Sequence, residues 1–215
     1  MVGQAPDLTY LIADIVAAIT TAADLGVPDT FNAATHFVDR HLAEGRGEKV
    51  GIECGDERVT YAQLGERVNR FGNALRDALD VRPEERVVLL LLDTPVFHVA
   101  FFGAIKIGAV PIPVNTLWKT PDYRHVLNDS RARVAIVSEE LLPKIAADVP
   151  ALRHVVVAGP QLEALLAAAA PALAPEPTSR DAHAFWLYSS GITGAPKVCV
   201  HLQHDMVVCA ELFAK

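Results

Sequence analysis

Cysteine is scarce in this sequence. Cys54, Cys199 and Cys209 make an odd number without a framework spacing. That argues against a disulfide-stapled secreted fold and predicts a reducing, cytoplasmic setting. Positive charge is also short. The 19 Lys and Arg against 26 Asp and Glu leave a formal net charge of −7. This balance disfavours nucleic acid and anionic membrane as partners, so an anionic ligand must be held by local donors. No apolar run reaches the roughly 20 residues of a bilayer span. Residues 1–7 lack a basic n-region, and Asp14 and Asp24 interrupt the apolar stretch behind them; no secretory leader is expected. Internal repeats are absent.

Lys and Arg are also missing from residues 8–25, where Leu8, Leu11, Ile12, Ile15 and Ile19 share one helical face. An amphipathic helix is expected there, packing on the domain or a partner and not anchoring in a membrane. Residues 1–29 are read as an extension ahead of the main domain.

What remains is a globular balance, 51% hydrophobic and 21% charged, in a chain long enough for one sizeable core. Residues 51–54 and 58–60 around Gly55-Asp56 predict a hairpin. Thr60 and Gln63 form a capping-box pattern. The helix they open places Leu64, Val68, Phe71, Leu75 and Leu79 on one face. Strands are predicted at 87–92, 109–114, 134–137, 155–157 and 185–188. Helices are predicted at 97–107, 121–128, 139–147, 162–170 and 204–215, the last with Met206, Cys209, Ala210 and Phe213 inward. Such alternation implies an α/β fold, a largely parallel sheet flanked by helices on both faces. Residues 171–180 read as a surface loop inside one domain. The chain stops at Lys215 directly after a helix and without a stop signal, which is expected of an interrupted protein.

The stretch Phe185–Val200, FWLYSSGITGAPKVCV, carries the most chemistry. Gly191 and Gly194 allow backbone conformations closed to other residues, so N–H groups can converge on one anion. Ser189, Ser190 and Thr193 add hydroxyls, and Lys197 a mobile cation. Together they suit a polyphosphate, delivered beyond the carboxyl end of a strand at the Tyr188–Ser189 junction. The common phosphate loop is excluded because Pro196 and Val198, not Gly and Ser or Thr, flank Lys197. The dinucleotide fingerprint is excluded because a third glycine is missing.

The order YSSGITGAPK resembles the signature loop of the adenylate-forming superfamily, (Y/T)SSG(S/T)TGxPKG. Ile192 stands where the family has Ser or Thr, and Val198 where it has Gly. The first removes a phosphate-facing hydroxyl; the second puts a β-branched side chain where close backbone approach is expected. VTYAQL at 59–64 and FFGAIKIGAVPIPVN at 101–115 also resemble family segments. FNAATHFVDRHL at 31–42, residues 53–76 and HDMVVCAELFAK at 204–215 resemble benzoate-type aryl-CoA ligases. The resemblance covers roughly residues 30–215.

The resemblance implies that 30–215 is part of the large N-terminal domain, ending just after the phosphate loop. It implies ATP, Mg2+ and coenzyme A as cosubstrates and an aromatic carboxylate, benzoate or a substituted benzoate, as substrate; a homo-oligomer is an allowed state. It assigns Ser189, Ser190, Gly191, Thr193, Gly194 and Lys197 to the β,γ-phosphates, with Lys197 catalytic, and sets His201 near the acyl site. The family's magnesium glutamate, ribose-binding aspartate and C-terminal lysine have no counterpart in these residues. A non-catalytic nucleotide-binding or interaction module is the rival reading. Cys199, His201, His204 and Cys209 supply metal-type ligands, but C-x-H-x2-H-x4-C fits no standard zinc spacing. They are read as two core-facing thiols and two unrelated imidazoles, His204 solvated, and no metal site is expected.

Overall fold

Apolar runs covered on both faces build the centre of the molecule. The computed structural model describes residues 21–145, 148–189 and 196–213. Strands β1 (Val50–Cys54) and β2 (Glu57–Thr60) form an antiparallel hairpin turning at Gly55, which has φ +58°. β3 (Arg86–Leu90), β4 (Val110–Pro113), β5 (Val134–Val137) and β6 (His154–Val157) form a parallel sheet in the order β4-β3-β5-β6. Side chains alternate across a strand. Val87 and Leu89 therefore join one core with Val134, Ile136 and Val156. Val88 and Leu90 join another with Ile112, Ala135 and Val137. The expected α/β fold, a parallel sheet flanked by helices, is the one observed.

A wide-turned segment, Thr35–Asp39, runs into α1 (Arg40–Ala43). α2 (Tyr61–Asn73) starts at the expected capping box: Thr60 Oγ1 accepts from the Gln63 N–H, and Gln63 Oε1 accepts from the Thr60 N–H. The predicted face is buried, with Leu64, Val68 and Phe71 on α2 and Leu75 and Leu79 on the wide-turned segment Ala74–Ala78 and the residue that caps it. α3 (Pro95–Lys106) crosses α2 closely. A methyl group on Gly103 would stand 2.7 Å from Phe71 Cδ1 and 3.1 Å from the Val68 carbonyl oxygen, so only glycine fits without displacement. At the end of α3, Lys106 is buried, with Nζ 2.7 Å from Asp39 Oδ1 and 2.6 Å from Asn69 Oδ1. α4 (Thr120–Ser130) covers the opposite face with Tyr123, Val126 and Leu127. α5 (Pro160–Ala168) returns to the first face through Leu162 and Leu166.

β7 (His183–Ser189) and β8 (Lys197–Leu202) form a separate antiparallel pair, and α6 (Asp205–Phe213) follows. This corrects the expectation that the strand before the phosphate loop belongs to the parallel sheet. Three helix expectations also change. Residues 139–147 form only a short 3-10 helix, Glu139–Lys144, because Pro143 lacks an N–H and its ring crowds the preceding turn; Ala146 and Ala147 lie outside the described residues. α6 packs Met206 against the first core as expected and buries Val207, but Cys209 is exposed and not inward; the Phe213 side chain lies outside the described residues. The helix expected over 8–25 lies mostly outside the described residues, and its last part, 22–25, is a turn. There Ala22 and Val27 pack against Val207. Residues 171–180 are tied down: Asn73 Nδ2 donates to the Ala170 and Ala172 carbonyls, and Glu176 N–H to that of Lys106.

Candidate functional site

The register of β7 and β8 decides which candidate residues meet. Ser189 pairs with Lys197, Tyr188 with Val198 and Phe185 with His201. The phosphate-loop sequence is therefore the connection of an antiparallel hairpin, with Ser189 and Lys197 facing each other at its mouth. Both are exposed, and Ser189 Oγ donates a long bond, 3.5 Å, to the Lys197 carbonyl oxygen. Exposure suits a role in which both side chains receive a ligand. Ser190, Gly191, Ile192, Thr193 and Gly194 lie outside the described residues.

Val198 opens no clash in this setting. It is 41% exposed, and a β-branched side chain suits a strand. The loop backbone it was expected to crowd lies outside the described residues.

His201 does not join Ser189 and Lys197. It shares their face of the hairpin but stands four residues beyond Lys197, roughly 13 Å along at a strand rise of about 3.3 Å per residue. Its ring stacks on Phe185 with centroids 4.5 Å apart, and Phe185 meets Phe101 edge-on. Nδ1 lies 3.4 Å from Asp205 Oδ2. These contacts give it a packing role. His204 is not solvated as expected. It is mostly covered, with Nδ1 2.9 Å from the Arg180 carbonyl oxygen and Nε2 3.2 Å from Asp205 Oδ1. Cys199 and Cys209 are exposed instead of core-facing. Among the described residues, no three His, Cys, Asp or Glu stand together in a way that could hold a metal ion.

Two contacts escaped the sequence reading. Tyr188 OH donates to Asp129 Oδ2 at 2.6 Å, a charge-assisted bond. Burial, and then that carboxylate, push the phenol well above its usual range, so it stays protonated. His125 Nε2 lies 3.0 Å from the Pro196 carbonyl oxygen. Both partners sit on α4, four residues apart. Only that spacing was visible in the sequence, and spacing does not say which strand a helix faces.

A helix-flanked parallel sheet with an antiparallel hairpin beside it defines the chain as an α/β protein. Residues 39–214 match the family described as AMP-binding enzyme, and the chain belongs to that family. It is 46% identical over 202 residues to the benzoate–CoA ligase of Thauera aromatica, covering 91% of this chain and 38% of that ligase. Among solved structures it is similar to the anthranilate CoA ligase AuaEII in complex with anthranoyl-AMP, with a TM-score of 0.84 and 35% identity. That match covers 90% of this chain and 38% of the other. It is also similar to a benzoate CoA ligase from Burkholderia xenovorans LB400, with a TM-score of 0.77 and 39% identity over 86% of this chain and 37% of that one. The chain thus spans well under half of the relatives it matches. No helix among the described residues is long and apolar enough to cross a membrane.

Proposed function

We propose that this chain is the phosphate-binding, N-terminal portion of an ATP-dependent aryl-carboxylate–CoA ligase acting in the cytoplasm on benzoate or a close relative. The observation that carries the reading is the YSSGITGAPK order at the mouth of the β7–β8 hairpin, in a chain 46% identical to a benzoate–CoA ligase. In this chemistry a carboxylate attacks the α-phosphate of ATP, giving an acyl-adenylate and pyrophosphate. The thiol of coenzyme A then displaces AMP. A carboxylate is ionised at neutral pH, so its attack needs no general base. What the chain must supply is positioning and charge stabilisation for the departing β,γ-phosphates. Ser189, Ser190, Thr193, the backbone at Gly191 and Gly194, and the Lys197 ammonium are assigned that role.

Among the described residues no three His, Cys, Asp or Glu stand together to hold a magnesium ion. His201, stacked on Phe185 and beside Asp205, is proposed to stand near the acyl group. The division at residues 29 and 30 stays as a proposal, with the first segment an extension of the domain.

The test is to replace the matching part of the Thauera benzoate–CoA ligase with this chain and measure benzoate-dependent release of pyrophosphate. Retained release is the expected result. A folded graft that releases none would leave the non-catalytic module, which Ile192 already favours.

A further inference from the structure

One helix reaches both ends of the phosphate-loop hairpin, and the chemistry read from the loop does not account for it. His125 and Asp129 lie four residues apart on α4, hence on the same face and one turn apart. Asp129 Oδ2 holds the hydroxyl of Tyr188, which stands one residue before the end of β7. His125 Nε2 meets the carbonyl of Pro196, which stands one residue before the start of β8. A carbonyl oxygen only accepts, so the imidazole carries a proton on Nε2.

The pins act on a hairpin whose strands are hydrogen-bonded to each other and join no ladder of the parallel sheet, although β7 runs alongside β4. β8 is exposed over Lys197, Val198, Cys199 and Val200. α4, in contrast, is set into the core by Tyr123, Val126 and Leu127, with Tyr123 OH donating to the Asn115 carbonyl at 2.7 Å. Tyr188 itself is buried in the same cluster.

We propose that His125 and Asp129 are positioning residues: they pin both stems of the phosphate-binding hairpin to α4 and so fix Ser189 and Lys197 where the β,γ-phosphates of ATP are received. This rests on the ligase reading above. A displacement of about 1 Å in a catalytic arrangement can lower a rate on the order of a hundredfold, so two pins at the loop mouth have a direct kinetic consequence.

The test has two arms. The first uses the chain itself and follows hydrogen exchange of peptides spanning residues 183–202. His125→Phe keeps the ring's size and removes the donor; His125→Gln keeps an N–H donor. Tyr188→Phe removes the hydroxyl; Asp129→Asn keeps an acceptor. The two Phe variants are expected to speed exchange of the ladder amides about tenfold, the scale of one lost hydrogen bond. His125→Gln should stay near the parent, Asp129→Asn, which keeps an acceptor but loses the charge, should fall between parent and Tyr188→Phe, and the thermal midpoint should move by no more than about 4 °C in all four. The second arm places the same substitutions in the graft. There the Phe variants should raise the KM for ATP about tenfold, on the same scale, without moving the KM for benzoate. Ladder amides exchanging at the parent rate in both Phe variants would overturn the pins. Faster exchange with an unchanged KM for ATP would overturn the positioning role. A graft already inactive with native His125 and Tyr188 overturns the ligase reading, and the exchange data then decide the pins alone.

Discussion

Lys197 opens β8 with its side chain exposed and Ser189 directly opposite. Among the described residues no ion pair accounts for a lysine at that place, and a mobile ammonium at a loop mouth is suited to moving phosphate charge. In the graft, Lys197→Ala is expected to reduce the rate of adenylation by about 2–4 kcal/mol of lost transition-state stabilisation, the scale of removing one oriented donor. Pyrophosphate release under saturating ATP measures it, and an unchanged rate would leave Lys197 an ordinary surface residue. The two departures from the family loop now separate. Ile192→Thr is expected to raise activity or ATP affinity by restoring a hydroxyl. Val198→Gly is not, because Val198 crowds nothing described and glycine weakens a strand interior by roughly 0.5–1 kcal/mol. Parallel ATP titrations of the two variants check the contrast, and a fall in ATP affinity with Ile192→Thr would mean that the loop geometry differs from the family's.

Among the elements, α1 and the turn before it bear an acid-sensitive pair. Burial, then the charge of Arg40, holds His36 below its usual value. Burial, then Arg46, does the same for His41. The geometry agrees for His41: Arg46 Nε donates to its Nδ1 at 3.0 Å, and the ring stacks on Tyr61 at 3.8 Å. That acceptor nitrogen must be unprotonated. Both imidazoles bind a proton less readily folded than unfolded, so their contribution is full above the unfolded value near 6.5 and is lost as pH falls below it. The thermal midpoint is therefore expected to drop between pH 7.5 and 5.5, ahead of carboxylate titration. His36→Phe with His41→Gln should blunt the drop, and an identical drop in that double variant would sink the assignment. The sequence marked this segment only by its family likeness and not as an element, since FNAATHFVDRHL alternates neither as strand nor cleanly as helix. α2, by contrast, was readable to its cap, because a five-residue apolar face and Thr60-x-x-Gln63 agree with each other. The parallel strands were readable for a similar reason: runs such as Val87–Leu91 fit only a site buried on both sides. The β7–β8 hairpin was not. Its second strand is mostly exposed, so KVCVHL lacked a buried face to give it away, and the glycine loop that marks the site also hid the pairing across it. His125 and Asp129 were illegible for the same cause, since their partners depend on which strand lies over α4.

At the scale of the whole molecule, the chain assembles two cores and a phosphate-loop hairpin but spans 38% of the benzoate–CoA ligase it resembles at 46% identity. Stabilising a developing charge at the loop is one part of carboxylate activation; holding the ribose and presenting the acyl group are others. The hairpin also leaves apolar side chains uncovered: Leu187 is 39%, Val198 41% and Val200 38% exposed, with Leu212 of α6 at 51%. Such side chains on a two-stranded unit with a free edge favour pairing with another chain. The 215-residue chain by itself is therefore expected to form no benzoyl-CoA from benzoate, ATP and coenzyme A, and to self-associate as its concentration rises. Mass spectrometry of the reaction and light scattering across a dilution series test the two halves together. Replacing Val198 and Val200 with Thr, which keeps β-branching but adds polarity, should reduce association without unfolding the hairpin. Steady benzoyl-CoA turnover by a monodisperse monomer would show that the elements present here suffice for catalysis, and the portion-of-a-ligase reading would fall with it.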